Sequence, residues 1–138
     1  LKNNMHKTKI VTTFLINSGK ILLLKRSEKV KTMKNLWAGI SGLIEGDEEP
    51  LSRAKIEIFE EVGIENTNIK LIKEGDSIVI ESPQYVNHQW EVFPFLFSCK
   101  NREIKLNWEN SDSKWIEIDE INNFSTVPSL DKVLTRLF

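Results

Sequence analysis

The chain has 138 residues, with 19 Lys or Arg against 20 Asp or Glu, and a formal net charge of −1. This length fits one domain with one core, so we take residues 1–138 as a single domain. A nearly neutral chain does not suit a nucleic-acid polymer or an anionic membrane as its partner. No run approaches the roughly 18 apolar residues of a membrane-spanning helix, and the single cysteine, Cys99, cannot form an internal disulfide. We therefore expect a cytoplasmic protein.

The N-terminal part of the chain predicts a β-hairpin. Residues 9–16 (KIVTTFLI) are rich in β-branched side chains, and residues 20–24 (KILLL) continue the apolar pattern. Between them, Asn17-Ser18-Gly19 has the turn chemistry that joins antiparallel strands. A lysine-rich loop follows, and the small residues at 38–42 then allow a backbone or a ligand to approach closely.

A helix is predicted from Pro50 to about Val62. Proline suits the first turn of a helix, and Gly63 is a common residue just after the last turn. Four apolar residues recur at helical spacing and form one face, namely Leu51, Ala54, Ile58 and Val62.

The remaining elements alternate less regularly. We expect strands at about 69–81, 90–99 and 115–118, and a brief helix near 119–123. A terminal helix over 128–138 would turn four residues inward, namely Leu130, Val133, Leu134 and Leu137. This order predicts an α+β or mixed α/β domain, in which helices cover a sheet.

The predicted helix at 50–62 carries three glutamates at i, i+3, i+4 spacing: Glu57, Glu60 and Glu61. This spacing places them on one side of the helix, nearly opposite the apolar face. Like charges without compensation suggest a bound cation, and hard oxygen ligands select Mg²⁺, Mn²⁺ or Ca²⁺ rather than Zn²⁺. A plain acidic surface is the alternative.

Charges are also segregated along the chain. Residues 1–34 contain nine Lys or Arg and one acid, whereas residues 45–65 contain eight acids and two bases. Solvated surface explains most such side chains. The more specific interpretation is a site where carboxylates hold metal ions and basic side chains face phosphates.

A longer pattern includes the acidic helix. From Gly42 the sequence is GLIEGDEEPLSRAKIEIFEEVGI, which resembles the Nudix box: Gly, five residues, Glu, seven residues, then Arg-Glu-aliphatic-any-Glu-Glu-any-Gly-aliphatic. Similarity to the family extends to residues 20–27, 35–45 and 115–121. Eight of the nine fixed positions match, at Gly42, Glu48, Glu57, Ile58, Glu60, Glu61, Gly63 and Ile64.

The resemblance to MutT-like Nudix hydrolases implies a fold and an activity. The fold would be an α/β/α sandwich with a mixed central sheet, in which residues 42–64 form a loop-helix-loop metal site. The activity would be Mg²⁺-dependent hydrolysis of the diphosphate linkage in a nucleoside triphosphate, a dinucleotide polyphosphate or a nucleotide sugar. Mn²⁺ would be a substitute metal, and the resemblance is compatible with a homodimer.

The resemblance also implies roles for particular residues. The carboxylates of Glu57, Glu60 and Glu61 would hold the metal, together with the Gly42 carbonyl. Family members differ in which glutamate takes the proton from water, and the candidates here are Glu60 and Glu109. The second belongs to the loop Asn107-Trp108-Glu109-Asn110, which corresponds only loosely to the family position.

Substrate contacts are assigned to four residues: Arg26, Lys25, Trp37 and Arg53. Arg26, at the end of the second strand, would clamp a phosphate because its fork binds two oxygens, and Lys25 lies beside it. Trp37 is one of three tryptophans near loops, with Trp90 and Trp108, that either stack on a base or pack in the core.

The chain departs from the box at Ile56, where the family has an arginine that orients a metal-binding glutamate. Arg53, four residues before Glu57, lies on the same side of the helix and is our candidate replacement. If nothing replaces the arginine, the domain is a catalytically weakened nucleotide sensor. A Nudix-type isomerase of prenyl diphosphates is a third possibility, but Cys99 is poorly suited to the catalytic role of that chemistry.

Overall fold

A computed structural model describes residues 6–81 and 86–138. Within these ranges, eight strands form one sheet: β1 (His6–Asn17), β2 (Lys20–Arg26), β3 (Trp37–Ala38), β4 (Ile40–Leu43), β5 (Ile69–Glu74), β6 (Ile78–Glu81), β7 (His88–Cys99) and β8 (Asn110–Ile116). The helices are α1 (Pro50–Val62) and α2 (Leu130–Thr135), with 3-10 turns at Asn66–Asn68 and Ile118–Asn123.

The sheet is mixed, as predicted. Its main order is β3-β2-β1-β7-β5, and β4, β6 and β8 add to β1, β7 and β2 respectively. The pairing between β1 and β7 is parallel and runs from His6 opposite His88 to Ile16 opposite Ser98. All the other pairings are antiparallel. The long β1 therefore lies at the centre of the sheet.

The predicted hairpin is confirmed. Strands β1 and β2 pair in antiparallel register with Ile16 opposite Ile21 and Asn17 opposite Lys20. Ser18 and Gly19 form the turn with φ values of 50° and 78°. Positive φ at both central residues matches the right-handed twist of the strands, which explains this short connection.

Helix α1 has the predicted bounds. Pro50 occupies its first turn, and Gly63 ends it in the left-handed conformation, with φ of 72°. The Gly63 N–H donates to the Phe59 carbonyl, which satisfies one of the last carbonyls of the helix.

Residues 69–81 form two strands, β5 and β6, whereas the sequence predicted one. The break lies opposite Pro94 of β7, whose nitrogen has no hydrogen to donate to a facing strand. Gly75 lies in the gap and donates its N–H to the Pro94 carbonyl at 2.9 Å. The proline thus divides one predicted strand into β5 and β6.

The C-terminal part also differs from the prediction. Strand β8 begins at Asn110 rather than 115, and α2 begins at Leu130 rather than 128. Ser129 has a left-handed φ of 66°, which no helical residue adopts, so the helix cannot include Pro128. The four residues predicted to face inward are nevertheless buried: Leu130, Val133, Leu134 and Leu137.

Two core clusters lie on opposite faces of the sheet. The first packs α1 residues such as Ala54 and Ile58 against Val11, Leu15 and Phe97 of β1 and β7. The second packs α2 against Phe14, Leu23, Trp37 and Leu96. These layers form the predicted α/β/α sandwich. In the part of the chain that the structure describes, no helix is long and apolar enough to cross a membrane.

Candidate active site

Two of the three helix glutamates point into the protein. Glu57 is 7% exposed and Glu61 is 4% exposed, whereas Glu60 is exposed. The prediction that all three lie nearly opposite the apolar face is therefore wrong. Glu57 and Glu61 are one turn apart, and both border Ala54 and Ile58, so they lie at the margin of the buried face. We call Glu57 and Glu61 the carboxylate pair.

Gly42 of β4 makes room for the carboxylate pair. A Cβ atom added at Gly42 would collide with the carboxylate of Glu57. Only glycine lets β4 and α1 approach this closely, which gives the first position of the box a steric reason.

Arg53 joins Glu57 to the loop before α1. Its Nη1 donates to Glu57 Oε2 at 3.0 Å, while Nε and Nη2 donate to the two oxygens of Glu48 at 3.0 and 2.7 Å. The Arg53 side chain is only 13% exposed. Its hydrogen bonds hold the pKa of Glu48 below the usual range. Burial raises the pKa of Glu57, and Arg53 opposes that rise.

Glu61 is the most enclosed acid of the site. Its Oε1 accepts a hydrogen bond from Asn110 Nδ2 at 3.2 Å, and its buried Oε2 has no donor among the described residues unless the Glu57 carboxyl, which lies beside it, carries a proton. Burial raises the pKa of Glu61 well above its usual value, and the nearby negative charge of Glu109 raises it further. A buried carboxylate oxygen without a donor is costly unless it takes a proton or a cation.

Arg26 and Glu109 lie close to Glu61. Burial lowers the pKa of Arg26, and the charges of Glu61 and Glu109 oppose that effect. Arg26 Nε and Nη2 both donate to the Thr32 carbonyl, at 3.2 and 2.9 Å, which fixes the guanidinium. Ser27 donates its N–H to the Glu109 carbonyl at 2.8 Å and thereby holds the loop at the end of β2.

The structure separates two predicted substrate residues from the carboxylate pair. Trp37 is 9% exposed and packs edge-on against Phe124, with ring centroids 5.3 Å apart, in the core on the α2 face. Lys25 pairs with Trp37 across β2 and β3, so it lies on the same face. The carboxylate pair lies on the α1 face.

Sequence reasoning missed Asn110. This residue is 8% exposed and supplies the N–H group that, within residues 6–81 and 86–138, donates to Glu61. Its neighbours in the sequence do not distinguish it from other loop asparagines. Only the pairing of β8 with β2, in which Asn110 lies opposite Arg26, brings it to α1.

Sequence reasoning also missed a groove of about 450 Å³ on the α2 face. One end of the groove is formed by Gly42 and Arg26, which adjoin the carboxylate pair. The other end lies between α2 and the paired strands β6 and β7, where Trp90 is part of the wall.

The residues of the site fit a hard divalent cation. Glu57 and Glu61 offer carboxylate oxygens, one of them buried without a donor, and the Gly42 backbone lies against Glu57. Within residues 6–81 and 86–138, no three His, Cys, Asp or Glu side chains are gathered closely enough to hold a metal among them. Glu60, whose charge raises the pKa of Glu57, is a candidate for a third carboxylate.

Known proteins share this fold. The NUDIX domain family model matches residues 6–137. A MutT protein from Methanosarcina mazei Go1 superposes with a TM-score of 0.77 at 22% identity, over 98% of this chain and 95% of that one. A C. elegans Ap4A hydrolase gives 0.73 at 18% identity, over 96% and 95%. No curated protein matches the sequence significantly.

A third similar structure contains a metal and a nucleotide. It is a bifunctional NMN adenylyltransferase/ADP ribose pyrophosphatase from Francisella tularensis, complexed with AMP and a Mn ion. The TM-score is 0.69 at 23% identity, over 99% of this chain and 42% of that one. The family match spans almost all of the chain and supports a Nudix pyrophosphohydrolase, and the MutT neighbour shows the shared fold. The chain belongs to the NUDIX domain family.

Proposed function

We propose that the chain hydrolyses the diphosphate linkage of a nucleoside diphosphate derivative with the help of Mg²⁺, for which Mn²⁺ is a substitute. The observation that carries this proposal is the buried carboxylate pair, with one Glu61 oxygen left without a donor. Such an arrangement is unfavourable for folding alone, and a cation would relieve it.

The metal would be held by the carboxylates of Glu57 and Glu61, the carbonyl of Gly42, and Glu60 turned inward from its exposed position. A bound divalent cation neutralises charge on the diphosphate and lowers the pKa of water. The protein's own contribution is to hold the two buried oxygens in place, through Asn110 for Glu61 and through Arg53 for Glu57.

Glu109 is our proposed general base, with Glu60 as the second candidate. The Glu109 loop is fixed by Ser27 and by a hydrogen bond from the Glu109 N–H to Asn107 Oδ1 at 3.0 Å. The charge of Glu109 acts on both Glu61 and Arg26, which supports a role for its carboxylate beside the metal ligands. A base must be within hydrogen-bond reach of the water that it deprotonates, so we favour half-buried Glu109 over exposed Glu60.

Arg26 would bind a phosphate oxygen. Two of its N–H groups are held by the Thr32 carbonyl, and the Nη1 group is not part of that contact. This fixed orientation favours recognition, because little side-chain freedom is lost when an anion binds. Lys25, on the α2 face, would act at longer range through its charge.

We propose that Arg53 replaces the arginine that the box lacks at Ile56. Arg53 contacts Glu57 directly and is anchored by both oxygens of Glu48, which is another fixed position of the box. Ile56 is 40% exposed, so the lost arginine leaves no gap in the interior. This arrangement supports an active enzyme rather than a weakened nucleotide sensor.

The substrate class rests on the similar structures and the groove. Those structures include an Ap4A hydrolase and an ADP ribose pyrophosphatase, both of which act on a diphosphate that carries a nucleoside. The groove beside Gly42 is large enough for one planar group and its sugar. We therefore include nucleoside triphosphates, dinucleotide polyphosphates and nucleotide sugars as substrates.

Hydrolysis of these three substrate classes tests the proposal, with products separated by ion-exchange chromatography in Mg²⁺ and in Mn²⁺. Wild type should turn over at least one class, and both Glu57→Gln and Glu61→Gln should lose at least about 100-fold in turnover. Glu49→Gln makes the same change just before α1, where the side chain is exposed, and should behave as wild type. Equal turnover in all four proteins, or none in wild type, would contradict the proposal.

A further inference from the structure

The pairing of β2 with β8 is irregular where the two strands reach the site. The register shifts between Lys25 and Arg26 of β2, and it skips Ser111 of β8. Such a β-bulge interrupts the ladder of hydrogen bonds and bends the strand. The chain just before β8, which we call the Glu109 loop (residues 107–109), therefore needs contacts other than the ladder to hold its position.

Contacts inside the Glu109 loop shape it but do not place it on the domain. The Glu109 N–H donates to Asn107 Oδ1 at 3.0 Å, and the Asn110 N–H donates to the Asn107 carbonyl at 3.4 Å. Both bonds join residues that are close in the sequence. The Trp108 side chain is 59% exposed, so its packing anchors the loop weakly. The position of the loop against β2 thus depends on bonds to residues distant in the sequence.

Ser27, the first residue after β2, makes such bonds with its backbone and with its side chain. Its N–H donates to the Glu109 carbonyl and its hydroxyl donates to the Trp108 carbonyl, both at 2.8 Å. The hydroxyl oxygen also accepts the Lys29 N–H at 3.1 Å. Ser27 is 7% exposed, so removal of the hydroxyl would leave two backbone groups unpaired where water has little access. One buried residue therefore holds two consecutive carbonyls of the Glu109 loop.

Arg26, the proposed phosphate ligand, is held by other bonds. Its backbone N–H donates to the Leu36 carbonyl, and its carbonyl accepts the Asn35 N–H, both at 2.9 Å. Its guanidinium donates twice to the Thr32 carbonyl. These four bonds do not involve the Ser27 hydroxyl. Loss of that hydroxyl should therefore release the Glu109 loop and leave Arg26 in place.

We infer that the Ser27 hydroxyl is a positioning group for the reaction, because it holds the loop that carries Glu109. The inference rests on the proposed function, in which Glu109 is the general base, and adds the residue that keeps this base in reach of its water. The Glu109 carboxylate accepts a hydrogen bond from Asn107 Nδ2 at 3.4 Å, so it moves with its loop. Ser27 thus controls the rate of the reaction rather than the binding of the substrate.

Steady-state hydrolysis by Ser27→Ala tests this role. A shift of about 1 Å at a reacting group costs on the order of 100-fold, so kcat should fall by about 10-fold to 100-fold. KM should stay within about 3-fold of wild type, because the bonds of Arg26 remain. Ser77→Ala is the matched control, since it removes an exposed hydroxyl that donates to Glu91 at 3.1 Å, and it should keep the wild-type kcat. An unchanged kcat in Ser27→Ala, with or without a raised KM, would overturn the inference.

A double variant shows whether Ser27 acts through Glu109. If it does, Ser27→Ala combined with Glu109→Gln should have a kcat within about 3-fold of Glu109→Gln alone. A further loss of about 10-fold in the double variant would assign Ser27 another role and overturn the inference. Ser27→Cys keeps the side-chain size but offers a weaker donor, so its kcat should lie between those of wild type and Ser27→Ala. This variant serves the same test if Ser27→Ala does not fold, and a wild-type kcat in it would count against the inference.

Amide hydrogen exchange, followed by NMR, tests the placement of the loop without turnover. The N–H of residue 27 donates to the Glu109 carbonyl, so its exchange reports how often the loop leaves β2. In Ser27→Ala this N–H should exchange at least about 5-fold faster than in wild type, after correction for the intrinsic rate of alanine. Ser77→Ala should not change it. Equal exchange in Ser27→Ala and wild type would overturn the inference, whereas absent turnover in wild type contradicts the proposed function alone.

Discussion

The two faces of the sheet differ in chemistry. On the α1 face, the described site contains two buried carboxylates, each of which accepts a hydrogen bond from a polar side chain: Glu57 from Arg53 and Glu61 from Asn110. On the α2 face, a largely apolar groove ends at Gly42, which also lies against Glu57. Under the proposed function, the reaction would belong to the first face and recognition of the organic group to the second. Five predictions test this division, in order of decreasing effect.

Gly42→Ala should have the largest effect, because it acts where the two faces meet. The new Cβ would collide with the Glu57 carboxylate and displace it. A displacement of about 1 Å at a reacting group costs on the order of 100-fold in turnover. Steady-state hydrolysis measures the loss. Gly19→Ala strains a left-handed turn residue, but its new Cβ meets nothing within 4 Å, so the folded variant should keep wild-type turnover. Full activity of Gly42→Ala would mean that Glu57 need not occupy its observed place.

Arg53→Ala tests how the α1 face is organised. It removes the donor that holds Glu57 and should weaken Mn²⁺ binding by about 10-fold to 100-fold, as loss of an orienting partner does at other metal sites. Arg53→Lys should fall in between, since one ammonium cannot reproduce the planar fork. Electron paramagnetic resonance titration gives the affinities. Lys55→Ala removes the same charge two residues further along α1, and an equal loss there would assign the effect to net charge.

The pH dependence of stability tests the burial of Glu61. Its folded-state pKa is raised, so the protonated carboxyl stabilises the metal-free protein below the ordinary glutamate pKa, and this contribution is lost as pH rises through the raised value. In EDTA, wild type should therefore lose more unfolding free energy than Glu61→Gln between pH 5 and pH 8. Thermal unfolding of both proteins measures this difference. If both proteins lost the same unfolding free energy between pH 5 and pH 8, burial would not raise the pKa of Glu61.

Mg²⁺ should offset the loss of unfolding free energy that wild type shows at high pH. Stabilisation by Mg²⁺ should be larger at pH 8 than at pH 5 in wild type, because the ion competes with the proton on the carboxylate pair. In Glu61→Gln, stabilisation by Mg²⁺ should be small at pH 5 and at pH 8. A larger Mg²⁺ effect at pH 5 would contradict the assignment of the ligands.

Ile56→Arg should have the smallest effect. The side chain at 56 is 40% exposed, and Arg53 already contacts Glu57, so restoring the box arginine should change turnover by less than about 3-fold. Steady-state hydrolysis again provides the measurement. A large gain in turnover would instead identify Ile56 as a lesion and favour the weakened nucleotide sensor.

Local patterns in the sequence predicted much of the fold. The Ser18-Gly19 turn and the stop at Gly63 depend on backbone preferences of the residues themselves, and both were predicted correctly. The break opposite Pro94 depends on a partner strand distant in the sequence, and Ser129 adopts a left-handed φ that is uncommon for serine. Neither feature leaves a local pattern, which is why the strand over 69–81 and the terminal helix were predicted too long.

The candidate site shows the same limit. Spacing placed Glu57 and Glu61 together, and four-residue spacing suggested the contact of Arg53 with Glu57 that the structure contains. Burial of the carboxylate pair, the donor Asn110 and the groove all depend on how β4, β7 and β8 assemble around α1 and α2. No pattern in one segment of the chain specifies an arrangement of five elements.

The proposed separation of reaction and recognition between the two faces is tested most directly by measuring the affinities for Mn²⁺ and AMP in two variants. Dissociation constants for Mn²⁺, and for AMP in EDTA, are measured for Arg53→Ala and Trp90→Ala. We predict that Arg53→Ala weakens only Mn²⁺ binding, by about 10-fold to 100-fold, and that Trp90→Ala weakens only AMP binding. If each variant weakened both affinities to a similar extent, the reaction and recognition surfaces would not be separate, and the account would be wrong.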